Sequence, residues 1–287
     1  MKFGTTVWYG RRPLGPTFEA IHRLGFDYVE FSLDHPWPEG LSEKETDLLR
    51  TLEKEYDLKL AFHAPWAGLN LSHPRDELST ASLRVFERCL SFAGRFNPLY
   101  FNFHQSTRAS TFHFEEIQRR IMKRALTSTS TIVEIGKKHG FRVTIENNPT
   151  IFFGIPDHLK LALKVKDLKM CLDVGHVYVA NWRIQKEETL GSRQEGHELE
   201  DWFSLFKERT LTVHLHDCRI KYNSEPWDHL VLGRGSLDLD EIKRMIKGID
   251  CGYVLLETYF SDERGTLATW EEIGENLAMC RNSLEGY

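Results

Sequence analysis

Residues 58–63 read LKLAFH, and five further runs are built the same way: LYFNFH (99–104), FRVTIE (141–146), LKMCLD (168–173), LTVH (211–214) and YVLLE (253–257). Each is short and largely apolar, and each closes on a side chain able to ligate a cation: His63, His104, Glu146, Asp173, His214 and Glu257. A strand of a parallel sheet is covered on both faces, so it reads as a nearly unbroken apolar run rather than an alternating one. The closing residues lie 41, 42, 27, 41 and 43 positions apart. A strand with its returning helix needs roughly 30 residues or more, so the spacing predicts one βα unit after another. Each unit delivers a polar residue to the C-terminal end of its strand, the edge at which (β/α)8 barrels build their active sites. The pattern predicts an enzyme, and one that holds a metal ion.

Working outward from these runs completes the ring. KFGTTVW (2–8) and FDYVEFSLD (26–34) supply two more strands, and the remaining strands are expected at 58–63, 99–104, 141–146, 169–173, 210–216 and 252–257. Helices are expected between them. One ends at Gly25 as a C-cap glycine, and one over 42–57 opens on a capping box of Ser42 and Glu45. Others are expected near 75–95, 113–139, 156–165, 199–208, 236–250 with a Ser236 cap, and 268–284. Residues 183–198 are polar and weakly patterned and read as a loop over the site, while Gly233 and Gly235 suggest a tight turn. The expected fold class is α/β, a (β/α)8 TIM barrel, with residues 1–287 forming a single domain.

Composition bounds the partners. With 41% hydrophobic and 28% charged residues the chain has enough apolar material for a core. A formal net charge of −5 gives no global attraction to nucleic acid or to an anionic membrane. No run approaches 18 apolar residues, so no membrane span is expected. The five cysteines (Cys89, Cys171, Cys218, Cys251 and Cys280) are scattered without a CxxC pair, which suggests reduced thiols in a cytoplasmic protein.

Among the candidate ligands, Glu146, Asp173, His214 and Glu257 form the strongest set. An ionised carboxylate at the end of an apolar strand is costly to desolvate unless it is paired or coordinates a cation. One such residue is explained by a salt bridge in the barrel mouth, whereas several converging on one mouth repel one another and call for a divalent ion. Mixed carboxylate and imidazole donors suit manganese, magnesium, cobalt or zinc alike. His63, His104, His176 and His229 follow strands or lie just beyond them, and are read either as further ligands or as residues that support the ligands. His216 shares a strand face with His214 and either competes with it or acts beside it. Arg219 suits a clamp on a substrate hydroxyl or phosphate, or a surface salt bridge. Trp8, Trp66, Tyr178, Trp182 and Trp227 fall at or after strand ends, where aromatic side chains wall sugar pockets or fill barrel cores. No phosphate loop, dinucleotide glycine signature, nucleophile elbow or CxxC zinc pair is present.

Taken together, HAPWAGLNL, NFH, VTIENNP, CLDVGH, HLHDCR, HLVLGRGSLD and LLET resemble the xylose isomerase-like TIM-barrel superfamily over roughly residues 2–260. That superfamily unites endonuclease IV with sugar and sugar-phosphate isomerases and epimerases. The resemblance to its ketose epimerases implies one ion held by Glu146, Asp173, His214 and Glu257. It also implies that the two glutamates exchange protons with a substrate carbon from opposite faces. The resemblance to endonuclease IV implies up to three zinc ions on His63, His104, Glu146, Asp173, His176, His214, His229 and Glu257. The pattern departs at one ligand, an Asp two residues before the last histidine, where this chain has Trp227 with Asp228 beside it. DVGHVYVAN is closer to the isomerase branch.

The function these readings imply is a divalent-metal-dependent isomerase or epimerase of a small sugar, sugar phosphate or polyol. It works through a metal-stabilised enediolate, with Glu146 and Glu257 as the acid/base pair and Trp8, Trp66, His176, His216 and Arg219 as substrate contacts. The alternative is an abasic-site DNA endonuclease with a di- or trinuclear zinc site, nucleic acid being a partner under that reading alone. An inosose-type dehydratase, a barrel that binds without catalysis, and assembly as a homo-oligomer stay open.

Overall fold

A computed structural model describes residues 1–105, 114–188, 196–221 and 223–284. Its parallel strands are β1 (Lys2–Val7), β2 (Tyr28–Ser32), β3 (Lys59–His63), β4 (Phe101–His104), β5 (Val143–Glu146), β6 (Lys169–Asp173), β7 (Thr210–Leu215) and β10 (Tyr253–Leu256). They close into a barrel in the order β1-β10-β7-β6-β5-β4-β3-β2. An antiparallel hairpin of β8 (Asp217–Lys221) and β9 (Ser224–Leu230) is inserted between β7 and β10. The α/β (β/α)8 barrel expected from the apolar runs is thus the observed fold. Every barrel strand falls inside its expected span, because burial on both faces makes such strands read as apolar runs.

Helices α1 (Leu14–Leu24), α2 (Glu43–Glu55), α3 (Asp76–Ala93), α4 (Glu115–Lys138), α5 (Pro156–Ala162), α6 (Val174–Glu188), α7 (Leu199–Phe206), α8 (Leu239–Lys247) and α9 (Trp270–Leu284) accompany the barrel. They bury apolar residues such as Phe18, Leu49, Phe86, Ile132, Trp202, Ile242 and Leu277 in the main core. Each large side chain so buried contributes roughly 1.5–3 kcal/mol. Gly25 ends α1 with φ at 87°, a left-handed value that favours glycine. The α2 capping box is made: Ser42 Oγ accepts from Glu45 N–H while Glu45 accepts from Ser42 N–H. No helix among the described residues is long and apolar enough to cross a membrane, and all five cysteines are free and buried.

Alternation along the strands sorts side chains by layer, since residues two apart share a face. Tyr28, Tyr100 and Tyr253 form a floor, with ring centroids 5.5 to 6.1 Å apart. Gly4 admits the Tyr28 ring, since a Cβ at that position would lie 2.3 Å from it. Two residues on in these strands come Glu30, Asn102 and Leu255, all buried; two further come Ser32, His104 and Glu257 at the C-terminal rim.

Three expectations are corrected. Residues 183–188, expected within a loop, continue α6; RIQKEE contains good helix formers, and the helix has a cap that the loop reading overlooked. Of the rest of that expected loop, residues 196–198 carry no regular structure and residues 189–195 lie outside the described residues, as does residue 113 at the head of the expected 113–139 helix. Asp238 rather than Ser236 caps α8, its side chain accepting from the amides of Asp240 and Glu241. The hairpin was not expected at all, being short and polar. Gly233 and Gly235 do form a turn, held by the Asp217 carboxylate, which accepts from both of their amides at 3.0 and 2.8 Å.

Candidate metal centre

Four neighbouring strands of the barrel bring the carboxylate-rich set together. The ligand atoms of Glu146 (end of β5), Asp173 (end of β6), His214 (β7) and Glu257 (just past β10) all lie within 4.8 Å of one another, and all four residues are buried. His214 Nδ1 is 2.8 Å from Glu257 Oε2 and 3.3 Å from Glu146 Oε2. Glu146 Oε2 also accepts a short hydrogen bond from the Asn102 amide. Glu257 Oε1 accepts from the Tyr259 hydroxyl at 2.7 Å. Asp173 Oδ1 accepts the His176 N–H at 2.6 Å, which makes Asp173 the cap of α6 and places its charge at the positive helix end. Glu146 Oε1 and Asp173 Oδ2 are buried and make no hydrogen bond. Three buried carboxylates with histidine but no lysine or arginine in ion-pair range among the described residues, two of them with an unsatisfied oxygen, fit a divalent cation.

Histidines surround this cluster. His63 Nε2 lies 3.5 Å from Glu146 Oε2, His104 Nε2 3.4 Å from Glu146 Oε1, and His176 Nδ1 3.2 Å from the same oxygen. His63, His104 and Glu146 form a second group of suitable spacing, and His176, His216 and His229 a third. In three of these rings a backbone carbonyl fixes the tautomer. His63 Nδ1 donates to Ala64 O at 2.7 Å, His176 Nδ1 to Asn147 O at 3.0 Å and His229 Nδ1 to Glu257 O at 3.3 Å. With Nδ1 so engaged, Nε2 of each is the nitrogen that would face an ion once the ring is neutral, the usual arrangement of a ligating histidine.

His216 also has a backbone carbonyl near Nδ1, Asp217 O at 3.2 Å, but a closer amide decides its tautomer. Its Nδ1 receives the His229 backbone N–H at 2.9 Å. An amide nitrogen always carries its hydrogen, so Nδ1 is the acceptor and the ring proton sits on Nε2. That proton faces Asp173 Oδ1 at 3.2 Å. His216 therefore fixes Asp173 and leaves Oδ2 of that carboxylate free. The ring is pressed against Gly175, where a Cβ would lie 2.0 Å from His216 Cε1. His229 itself has φ at 53°, an uncommon backbone value for a residue other than glycine.

The ionisation pattern follows from this crowding. Burial pushes the Glu146 and Glu257 carboxyls up, but the facing imidazoles, His104 and His214 for Glu146 and His214 for Glu257, more than offset it and hold both well below the usual range. Asp173 is likewise lowered, burial being outweighed by His176 and His216. Burial lowers the His63 and His176 rings, yet nearby carboxylates raise them to about 9 and about 10. His214 is raised well above its ordinary value against the same burial. His104 and His229 go the other way: burial dominates, lowering His104 to about 4 and lowering His229 as well.

The expected substrate contacts occupy different depths. Trp8 stands against Tyr259, two positions after Glu257, at 4.8 Å between ring centroids. Trp66 is 61% exposed, with its amide donating to Asp34 Oδ1. Arg219 is engaged with Glu263 at 3.4 Å and with the Arg234 carbonyl. Trp182 donates to the Lys221 carbonyl, docking α6 on the hairpin, and Trp227 packs on Phe260. Among the described residues the third group holds histidines alone, consistent with Trp227 at the departing position, and the Asp228 charge next to it acts on all three rings.

Sequence reasoning missed Glu30, Asn102, Asn147 and Tyr259. Asn147 bridges the strands, its Oδ1 accepting Asp173 N–H at 2.7 Å and its Nδ2 donating to Asp173 O at 2.8 Å. Asn102 and Asn147 stand in the quoted NFH and ENNP runs, so a signal was available for them.

Comparison with known proteins agrees with this architecture. A family model described as xylose isomerase-like TIM barrel matches residues 18–282. The chain is 27% identical over 241 residues to "Probable endonuclease 4" of Aquifex aeolicus, covering 80% of this chain and 82% of that protein. It superposes on a solved D-tagatose 3-epimerase-like protein with a TM-score of 0.76 at 20% identity, covering 99% and 97% of the two chains. A D-psicose 3-epimerase solved with D-fructose gives 0.71 at 19%, covering all of both chains. At these identities the two solved structures speak to the fold alone.

Proposed function

Since the chain belongs to the xylose isomerase-like TIM-barrel family, we propose that it is a divalent-metal-dependent isomerase or epimerase of a small sugar, sugar phosphate or polyol. The observation that carries this reading is the buried quartet of Glu146, Asp173, His214 and Glu257. Asp173 Oδ2, His214 Nδ1 and one oxygen of each glutamate would hold the ion. When bound, it would supply Lewis-acid polarisation of two adjacent substrate oxygens. The proton traffic belongs to the protein. Glu146 and Glu257 reach the site from strands separated by β6 and β7, so one can take a proton from a substrate carbon while the other returns one. The Tyr259 hydroxyl holds Glu257 in place, and Trp8 beside it offers an apolar wall to the sugar.

The histidine groups favour a second reading, an abasic-site endonuclease of the kind named by the Aquifex aeolicus relative. His63, His104 and Glu146 have the spacing for a second ion. The third group favours the first reading: with the His216 proton turned toward Asp173, only His176 and His229 keep free nitrogens there.

One preparation tests both. Protein loaded with manganese, cobalt or zinc is screened for solvent-deuterium incorporation into ketoses and sugar phosphates, and for cleavage of a duplex with one abasic site. The expected result is deuterium incorporation that EDTA abolishes and that Glu146→Gln or Glu257→Gln lowers by about 10²–10⁴-fold. Metal-dependent duplex cleavage without sugar exchange would replace this reading with the nuclease.

A further inference from the structure

Glu30 stands on the opposite edge of the His214 ring from the metal cluster, and we propose that it is the positioning residue that sets the proton and the aim of that ligand. The inference rests on the metal-site reading above and adds a residue that neither the sequence motifs nor the candidate ligand groups include. Glu30 lies mid-strand in β2, is fully buried, and neither of its carboxyl oxygens makes a hydrogen bond. A buried carboxyl left in that state is costly. No lysine or arginine pairs with it among the described residues; its one ionic neighbour there is His214, whose Nε2 is 3.4 Å from Glu30 Oε2.

The geometry of the ring gives the carboxyl its use. His214 turns Nδ1 toward Glu257 and Glu146, at 2.8 and 3.3 Å. To ligate from Nδ1 the imidazole must be neutral, with its single proton on Nε2. That nitrogen is sealed from solvent and has no hydrogen bond of its own. Glu30 Oε2 is the acceptor in front of it, and a small approach of either side chain completes a carboxylate–histidine–metal relay. The contrast with the neighbouring rings is instructive. His63, His176 and His229 have their tautomers fixed by backbone carbonyls, whereas His214 faces a carboxylate. A carboxylate partner makes the ring a stronger donor to the ion than a carbonyl does. His214 is also the histidine that shares the quartet with all three acidic ligands.

The test uses the full chain stripped of metal and titrated with zinc or cobalt. Glu30→Gln keeps the shape and a weaker acceptor, and Glu30→Leu removes the acceptor. The zinc Kd is expected to rise about 10-fold in Glu30→Gln and about 100-fold in Glu30→Leu, the range seen when a ligand loses its outer partner. The visible absorption of the cobalt form should change with it. The thermal midpoint of the metal-free protein should fall in both variants, because the buried His214 ring loses the one carboxylate facing its Nε2. A wild-type Kd and cobalt spectrum in both variants would overturn the assignment while leaving the metal site intact. An affinity lowered equally in Glu30→Gln and Glu30→Leu, with the cobalt spectrum of wild type, would overturn it in favour of a structural role. Wild-type protein that binds neither ion would overturn the metal-site reading itself, and this inference with it.

Discussion

The inner quartet and the histidine fringe around it are built on different principles. Glu146, Asp173, His214 and Glu257 sit at or within two residues of strand ends, and each is aimed by a second residue: Asn102, His216, Glu30 and Tyr259 respectively. The fringe histidines, His63, His104, His176 and His229, bring no carboxylate of their own. His63, His104 and His176 lie against Glu146, and His229 adopts an uncommon backbone conformation within the hairpin strand β9. The difference teaches that the inner site is complete in charge and orientation, while an outer ion would share Glu146 or rest on imidazoles with Asp228 as the nearby charge. Single substitutions should therefore separate the two layers.

The largest expected effect reaches the quartet without touching a ligand. Gly175→Ala places a methyl 2.0 Å from His216 Cε1, and the ring cannot retreat while the His229 amide and Asp173 hold its two nitrogens. Displacing it frees the Asp173 carboxylate to rotate. The expected outcome is a metal Kd raised about 10–100-fold, with fold stability lowered by about 1–3 kcal/mol from overpacking. Isothermal titration and denaturant unfolding of the same preparation check both. Unchanged affinity would break the claim that His216 serves the quartet.

How much of this was legible in the sequence depends on how a residue's burden reads in one dimension. The barrel strands announced themselves because burial on both faces leaves apolar runs, and the ligands because they close those runs. Glu30 did not, for the same reason. With both faces of YVEFS buried, alternation carries no mark of which face is inward, and a lone mid-run carboxylate looks like an ordinary exception. Asp173 was read as a ligand and not as a helix cap, so α6 behind it was taken in part for loop. Ser236 and Asp238 are both good caps, and only the path of the chain past Asp217 decides that α8 begins after the latter.

The next effect is graded by pH. His63 and His176, raised to about 9 and about 10 in the metal-free fold, bind protons that the unfolded chain releases near its ordinary value of about 6.5. Their stabilising contribution is complete below that value and is lost as pH climbs through the folded values, so metal-free stability should fall with rising pH. Metal binding runs the opposite way. His214, also raised, must release its proton to ligate, and one released proton strengthens apparent affinity about tenfold per pH unit. Thermal midpoints between about pH 6 and about pH 8.5, with EDTA and with saturating zinc, should therefore both fall toward alkaline pH, and less steeply with zinc. Parallel slopes would mean that the quartet and the fringe do not share protons with the ion.

The smallest effect belongs to the fringe. His229→Gly removes an imidazole from the third group but keeps the backbone N–H that holds His216 Nδ1 at 2.9 Å. It also keeps the carbonyl that accepts the Tyr259 and Phe260 amides at 2.9 and 3.1 Å. Glycine tolerates a φ of 53° without a steric penalty, so relief of backbone strain offsets part of the lost ring packing, and stability should shift by less than about 1 kcal/mol. The quartet keeps its side chains and loses only the His229 ring donation to the Glu257 carbonyl at 3.3 Å, so the Kd of the first ion should stay within about threefold, a free-energy change below about 0.7 kcal/mol. If a second ion binds wild-type protein through this edge, its loss in the variant should be visible in the stoichiometry alone. A first-ion Kd that weakens tenfold in His229→Gly would show that the two layers are one site, and the histidines would have to be counted among its ligands.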